Sequence, residues 1–173
     1  MKSTFFLETE RLLFREFSSE DANAMFDLNS DPEVIKYTGD QAFHSVEDAR
    51  IFLENYDQYA LHGFGRWAVI QKSTGNFIGW CGLKYSASTD EVDIGFRFFK
   101  ATWNQGFATE AAKKCLQFGF DKFGIKRIVG RAMIENTASI NVLKKNGLTF
   151  LKAFNFDGKD GVIYEILCDE KKQ

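Results

Sequence analysis

The sequence predicts a mixed α/β sandwich made by the whole of residues 1–173 as one domain. Three observations lead there. Two helical patterns near the start give way to a run of strands and then to strand–helix–strand units. No repeat, low-complexity tract or linker interrupts the chain, and the single proline, Pro32, lies near one end. At 173 residues one substantial core can form, and nineteen phenylalanines supply much of it.

The elements follow in order. Leu12 to Phe17 reads as a first strand. Ser18 or Ser19 caps a helix running to about Asn29, with Glu20 and Asp21 favourable at its positive end. Asp31-Pro32 opens a short second piece, with proline at the first helical position. Tyr37 to His44 has no period and reads as a loop. Ser45, with Asp48 three residues on, starts a helix to about Leu61. Strands are predicted at Arg66–Gln71 and Phe77–Tyr85, joined by the turn Ser73-Thr74-Gly75-Asn76. Glu91–Phe99 is the next strand.

A long helix comes after it. Ala108, Ala111, Ala112, Cys115, Leu116, Gly119, Phe120 and Phe123 recur at helical spacing, with Lys113, Lys114 and Gln117 on the other face. The small residues near its start let it lie close to a sheet, and Gly124 is its stop. Arg127–Ile134 is a strand, Thr137–Asn146 a helix stopped by Gly147, and Phe150–Phe154 and Val162–Leu167 a closing hairpin around Asn155–Gly161.

The most informative stretch is Trp103-Asn104-Gln105-Gly106-Phe107-Ala108-Thr109-Glu110. It joins a strand to a helix N-terminus. Gly106 lets the backbone approach a ligand with no side chain in the way. First-turn amides lack internal partners and sit at the positive end of the helix dipole. Such a junction serves equally as a plain connection or as a diphosphate cradle. Gly63-Phe64-Gly65-Arg66-Trp67-Ala68 also fits a dinucleotide fingerprint, but it follows a helix and opens a strand, the reverse of what that motif needs.

Four segments together resemble the GCN5-related N-acetyltransferases. Gly106 and Ala108 match the fourth and sixth positions of that family's coenzyme motif, with Trp103 in place of the usual Gln or Arg. Tryptophan there, followed by Gly-aromatic-Ala-Thr-Glu-Ala, is similar to the RimJ/RimL branch, whose best-known members acetylate ribosomal-protein N-termini. Thr9-Glu10-Arg11-Leu12-Leu13-Phe14-Arg15, Asp93-Ile94-Gly95-Phe96, and Asn136-Thr137-Ala138-Ser139 ending in Lys145-Asn146-Gly147-Leu148 agree with the branch in chain order. The resemblance implies a central mixed sheet, splayed open beside the coenzyme loop and flanked by helices on both faces. It implies acetyl-CoA as cosubstrate, held by Phe98, Phe99, Trp103, Asn104, Gln105, Gly106, Phe107, Ala108, Thr109, Asn136 and Ser139. A backbone amide near Phe98 or Phe99 would hold the thioester carbonyl.

Candidate catalytic residues are Asp93, Glu91 and Ser139. Asp93 and Glu91 lie two apart on one strand and face the same way, either as an ordinary solvent face or as a proton acceptor. Asp93 matches the family's acidic position. Asn136 is either a helix N-cap or, as the resemblance implies, a contact to the pantetheine arm; Ser139 would lie near the sulfur. Many relatives carry a tyrosine acid four residues after that serine, where this chain has Leu143. The loops Tyr37–His44 and Asn155–Gly161 are expected to line the acceptor site.

Composition excludes other classes. The formal charge is −2, and no basic run exceeds the pairs Lys113-Lys114, Lys144-Lys145 and Lys171-Lys172, so nucleic-acid binding is not expected. Met1 to Leu7 is apolar for too few residues to be a signal peptide, and no apolar segment approaches a membrane span. Cys81, Cys115 and Cys168 are scattered and odd in number, which fits a reducing cytoplasm and no metal site. Three readings remain: an N-acetyltransferase of a protein N-terminus or small amine, a silent acyl-CoA-binding module, and a nucleic-acid or ribosome-associated protein, which the mildly acidic charge disfavours. Monomer and homodimer are both compatible.

Overall fold

A computed structural model describes residues 4–169. The first residues of the Met1–Leu7 segment and the Lys171-Lys172 pair lie outside them. One eight-stranded sheet runs through the domain in the order β1-β2-β3-β4-β5-β6-β8-β7. The strands are β1 (Leu7–Glu8), β2 (Leu12–Arg15), β3 (Arg66–Gln71), β4 (Phe77–Ser86), β5 (Glu91–Phe98), β6 (Arg127–Met133), β7 (Thr149–Phe156) and β8 (Lys159–Leu167). The helices are α1 (Ala22–Ser30), α2 (Pro32–Ile35), α3 (Val46–Glu54), α4 (Gln58–His62), α5 (Phe107–Phe123) and α6 (Thr137–Lys145).

Neighbouring strands are antiparallel except β5 and β6, which are parallel and joined by the crossover helix α5. That parallel pair meets only at Val92–Ile128 and Asp93–Val129. Beyond those positions β5 continues to Phe98 and β6 to Met133 without pairing to each other, so the sheet splays open.

Two cores sandwich the sheet. On one face α5 buries Phe107, Ala111, Ala112, Cys115, Leu116 and Gly119 against Trp67, Cys81, Leu83 and Ile94. On the other, α1 and α3 bury Met25, Leu28, Ala49 and Leu53 with Phe77 and Trp80 packed alongside. The hydrophobic patterning read in the sequence is what divides these faces.

Four boundaries differ from expectation. A short strand, Leu7–Glu8, pairs with β2. Ser18 opens a 3-10 turn, Ser19–Asp21, ahead of α1, and Asp21 accepts from the Ser18 amide at 2.9 Å while gripping Arg15 through both oxygens. The helix expected over Ser45–Leu61 breaks between Glu54 and Gln58. Asn55 ends α3 as its C-cap and Asp57 precedes α4 as its N-cap, both residue types that disfavour a helix interior. The break turns two tyrosines onto Arg66: Tyr56 Oη accepts from its amide at 2.7 Å and Tyr59 Oη donates to its carbonyl. Finally, the closing hairpin turns at Asp157 and Gly158 alone, with φ of 47° and 89°, rather than over Asn155–Gly161. Two left-handed residues are what a tight hairpin of this kind demands, and Asp-Gly supplies them.

Candidate active site

Beside the splay, the end of β5, the start of α5, α6 and the segment around α2 enclose a cleft of about 650 Å³. At one end stands the start of α5. Gly106 precedes the helix with φ of 81°, a left-handed conformation that a side chain disfavours, and Asn104 adopts φ of 59° just before it. The first intrahelical bond runs from the Glu110 amide to the Gly106 carbonyl at 3.0 Å. The amides of Phe107, Ala108 and Thr109 therefore have no helical acceptor, and no side chain caps them. They form an anion cradle at the mouth of the cleft.

An unforeseen latch holds this junction. Glu110 accepts from Thr9 Oγ1 at 2.6 Å, the Arg11 amide at 3.1 Å and Arg11 Nε at 2.7 Å. Arg11 Nη1 donates onward to the Gln105 carbonyl at 2.9 Å, and its guanidinium lies 4.2 Å from the Phe107 ring centroid. Burial pushes the Glu110 carboxyl up, but the bonds from Thr9 and Arg11 outweigh it and hold the group below the usual carboxylate range. The anion at this helix start is thus turned away onto Arg11.

At the inner end of the cleft, the Phe99 amide donates to the Ile78 carbonyl at 3.0 Å and belongs to the β4 ladder. Backbone directions alternate along a strand, so the Phe98 amide faces the gap toward β6. The Phe98 carbonyl accepts from Trp103 Nε1 at 2.9 Å, which ties the strand end to the loop.

Of the residues expected to bind coenzyme, Phe98, Trp103, Asn104, Gly106, Phe107, Ala108, Thr109, Asn136 and Ser139 line this cleft, whereas Phe99 and Gln105 do not. Asn136 is the N-cap of α6: its Oδ1 accepts from the Ser139 amide at 3.2 Å. Capping uses the oxygen and leaves the amide nitrogen as a donor. Lys145 is exposed and lines the cleft, as do Lys36 and Arg97. The Asn146 side chain brings the end of α6 to the start of α5, donating to the Thr109 carbonyl at 3.3 Å. These cations and the cradle suit a phosphate-rich ligand.

Asp93 and Glu91 do not line the cleft; they stand on the sheet face opposite α5. Arg66 Nη2 reaches Asp93 Oδ1 at 2.5 Å, and its guanidinium occupies the space over Gly95, 2.6 Å from where a Cβ would be. The Asp-Ile-Gly sequence of β5 is thus a seat for Arg66. Asp93 Oδ2 has a looser contact, 3.9 Å to Arg131. Glu91 has both oxygens on guanidiniums, Arg127 at 3.0 Å and Arg131. Burial pushes the Glu91 carboxyl up, yet those two arginines hold it below its ordinary range. That is the arrangement of a structural ion pair, and it makes Glu91 a poor proton acceptor. Leu143 is 3% exposed and packs on Gly130, so the position where relatives place a tyrosine acid belongs to the core here.

Among the described residues, no group of His, Cys, Asp and Glu is arranged to hold a metal, and no helix is long and apolar enough to cross a membrane. Cys81, Cys115 and Cys168 are free thiols.

Known proteins share this architecture. The acetyltransferase (GNAT) domain family matches residues 11–149. N-acetyltransferase p20 of Bacillus licheniformis is 36% identical over 148 residues, spanning 84% of this chain and 82% of that protein. A GNAT-family acetyltransferase from Bacillus anthracis superposes with a TM-score of 0.82 at 29% identity, over 94% of this chain and 98% of that one. RimL, a ribosomal L7/L12 α-N-protein acetyltransferase solved with coenzyme A, shares the fold at a TM-score of 0.77 and 14% identity, over 95% and 98% of the two chains. With the family's domain covering most of the sequence, the chain belongs to the GNAT acetyltransferases.

Proposed function

We propose that this acetyltransferase uses acetyl-CoA bound in the β5–β6 gap and transfers the acetyl group directly to the α-amine of a protein N-terminus, as in the RimJ/RimL branch. The observation that carries the coenzyme reading is the cleft itself, with the unpaired amides of Phe107–Thr109 at its mouth and the Phe98 amide at its inner end.

Each residue then has a role. The cradle amides, with Lys36 and Lys145 nearby, hold the diphosphate arm. The Phe98 amide donates to the thioester carbonyl, where negative charge develops. The amine nitrogen bonds to the acetyl carbon as the carbon–sulfur bond breaks. The amine proton leaves through a chain of waters, with Asp93, five residues back along β5, as its final acceptor, and Ser139 donates a hydrogen bond to the departing sulfur. Glu91 positions Arg127 and Arg131.

Energetics favour an α-amine. Freeing a lysine-like amine at pH 7 costs about 4–5 kcal/mol, whereas an N-terminal amine costs only about 1–1.5 kcal/mol. An Arg-paired carboxylate acting through water suffices for the second. The free thiols of Cys81, Cys115 and Cys168 support a cytoplasmic setting.

Thiol release from acetyl-CoA is the test. A peptide with a free N-terminus is expected to react faster than the same peptide N-terminally blocked but carrying lysine. Preference for the blocked peptide, or activity on polyamines or aminoglycosides alone, refutes the α-amine assignment.

A further inference from the structure

On the sheet face away from α5, the layer of α1 and α3 leaves a second hollow of about 240 Å³. Its walls are aromatic, formed by Phe17, Phe43, Phe52, Tyr56 and Trp80. Arg66 and Arg97 lie 5.6 Å and 5.3 Å from the Trp80 ring centroid. Arg97, the residue beside Phe98, lines both this hollow and the coenzyme cleft, so the two spaces are neighbours across it.

Arg97 is held in place on two sides. Nη1 donates to Asn29 Oδ1 at 2.5 Å and Nη2 to Asp40 Oδ2 at 2.6 Å. Its Nε is buried and has no partner among the described residues. Nη1 and Nη2 each carry a second N–H, so with one used by Asn29 or Asp40 the guanidinium that lines the hollow keeps donors to spare. The charges around the hollow balance: Arg66 faces Asp93, and Arg97 faces Asp40. No excess of carboxylates is present to draw in a polycation.

We infer that this hollow is the specificity pocket for the acceptor, taking an aromatic or branched aliphatic side chain on the carbon that bears the amine. Arg97, through the guanidinium N–H groups that Asn29 and Asp40 do not use, binds the carbonyl or carboxylate oxygen that follows that carbon. The class of acceptor is therefore an α-amino acid unit with a large apolar side chain, whether a peptide N-terminus or a free amino acid. The inference rests on the α-amine reading above and narrows it.

Its test compares kcat/KM for peptides differing only in the first residue (Phe, Leu or Gly), alongside free phenylalanine, a blocked lysine peptide and spermidine. Phe and Leu peptides are expected to exceed the Gly peptide by about tenfold or more, the scale on which an apolar pocket discriminates. Phe43→Trp and Phe52→Trp, which fill the hollow from its walls, should bring that ratio toward one. Both variants should keep the wild-type acetyl-CoA affinity and thermal midpoint. Comparing the Phe peptide with free phenylalanine identifies the source of the unit. A Gly peptide as fast as the Phe peptide, or an unchanged ratio in both folded variants, overturns the pocket and leaves the α-amine reading standing. Acetylation of the lysine peptide or spermidine without any α-amine overturns both.

Discussion

Replacing Glu110 by alanine tests how the coenzyme loop is held. The carboxylate accepts from a hydroxyl, a backbone amide and a guanidinium, and pairs with Arg11 Nη2 at 2.6 Å. A hydrogen bond to a charged group contributes about 1.5–3 kcal/mol when screened little. Here Arg11 is 41% and Glu110 21% exposed, so water replaces much of what is lost. The net destabilisation expected for Glu110→Ala is about 2 kcal/mol, or roughly 4–8 °C in thermal midpoint for a domain of this size. Freed from Glu110, Arg11 no longer fixes the Gln105 carbonyl, and acetyl-CoA should bind about tenfold more weakly by calorimetry. The effect also has a pH sign. Folding lowers the Glu110 pKa, so its contribution is present above the unfolded value near about 4.3 and is lost as pH falls through the folded value. Wild-type and Glu110→Ala midpoints should therefore converge in acid. Unchanged midpoint and affinity at neutral pH, or a difference that stays undiminished however far the pH falls below the unfolded value, refutes the latch.

Other substitutions separate the chemical roles. Asp93→Asn should lower turnover more than coenzyme affinity and move the acidic limb of the pH–rate profile; an unchanged profile reduces Asp93 to a seat for Arg66. Ser139→Ala should raise the activation barrier by at most about 1–2 kcal/mol, the scale of one hydrogen bond, and a loss beyond about a thousandfold in a folded variant would show a larger role. Leu143→Tyr should destabilise by about 1–3 kcal/mol through collision with Gly130 and give no gain in rate; a faster folded enzyme contradicts the placement of Leu143 in the core.

Local signals carried much of this fold. The helical spacing of α5, Gly106 before it and the Asn136 cap lie within a few residues of the structure they specify. The Asp157-Gly158 turn is local too, and the wider loop expected there passed over what that dipeptide demands. What escaped depends on partners far apart in the chain. For Asp93 and Glu91 the sequence left a solvent face and a proton acceptor both open, because their partners Arg66, Arg127 and Arg131 come from other strands. Arg11 and Glu110 are separated by 99 positions, so neither flank of the latch reveals the other. Lys145 is exposed, and only the docking of α6 on α5 places it beside the cleft as well. The hollow at Arg97 required the packing of α1 and α3 on the sheet.

The central claim is that the unpaired amides at the start of α5 hold the acetyl-CoA diphosphate. Calorimetric titration of acetyl-CoA into wild type, Gly106→Ala and Gly106→Asp tests it most directly. A side chain at this left-handed position costs about 1–2 kcal/mol in strain, which both variants share. Only aspartate adds a carboxylate beside the cradle. The account predicts tight binding by wild type, weaker binding by Gly106→Ala, and a further loss of at least about tenfold for Gly106→Asp, the size of one unfavourable charge contact. Equal affinities in all three folded proteins would contradict it.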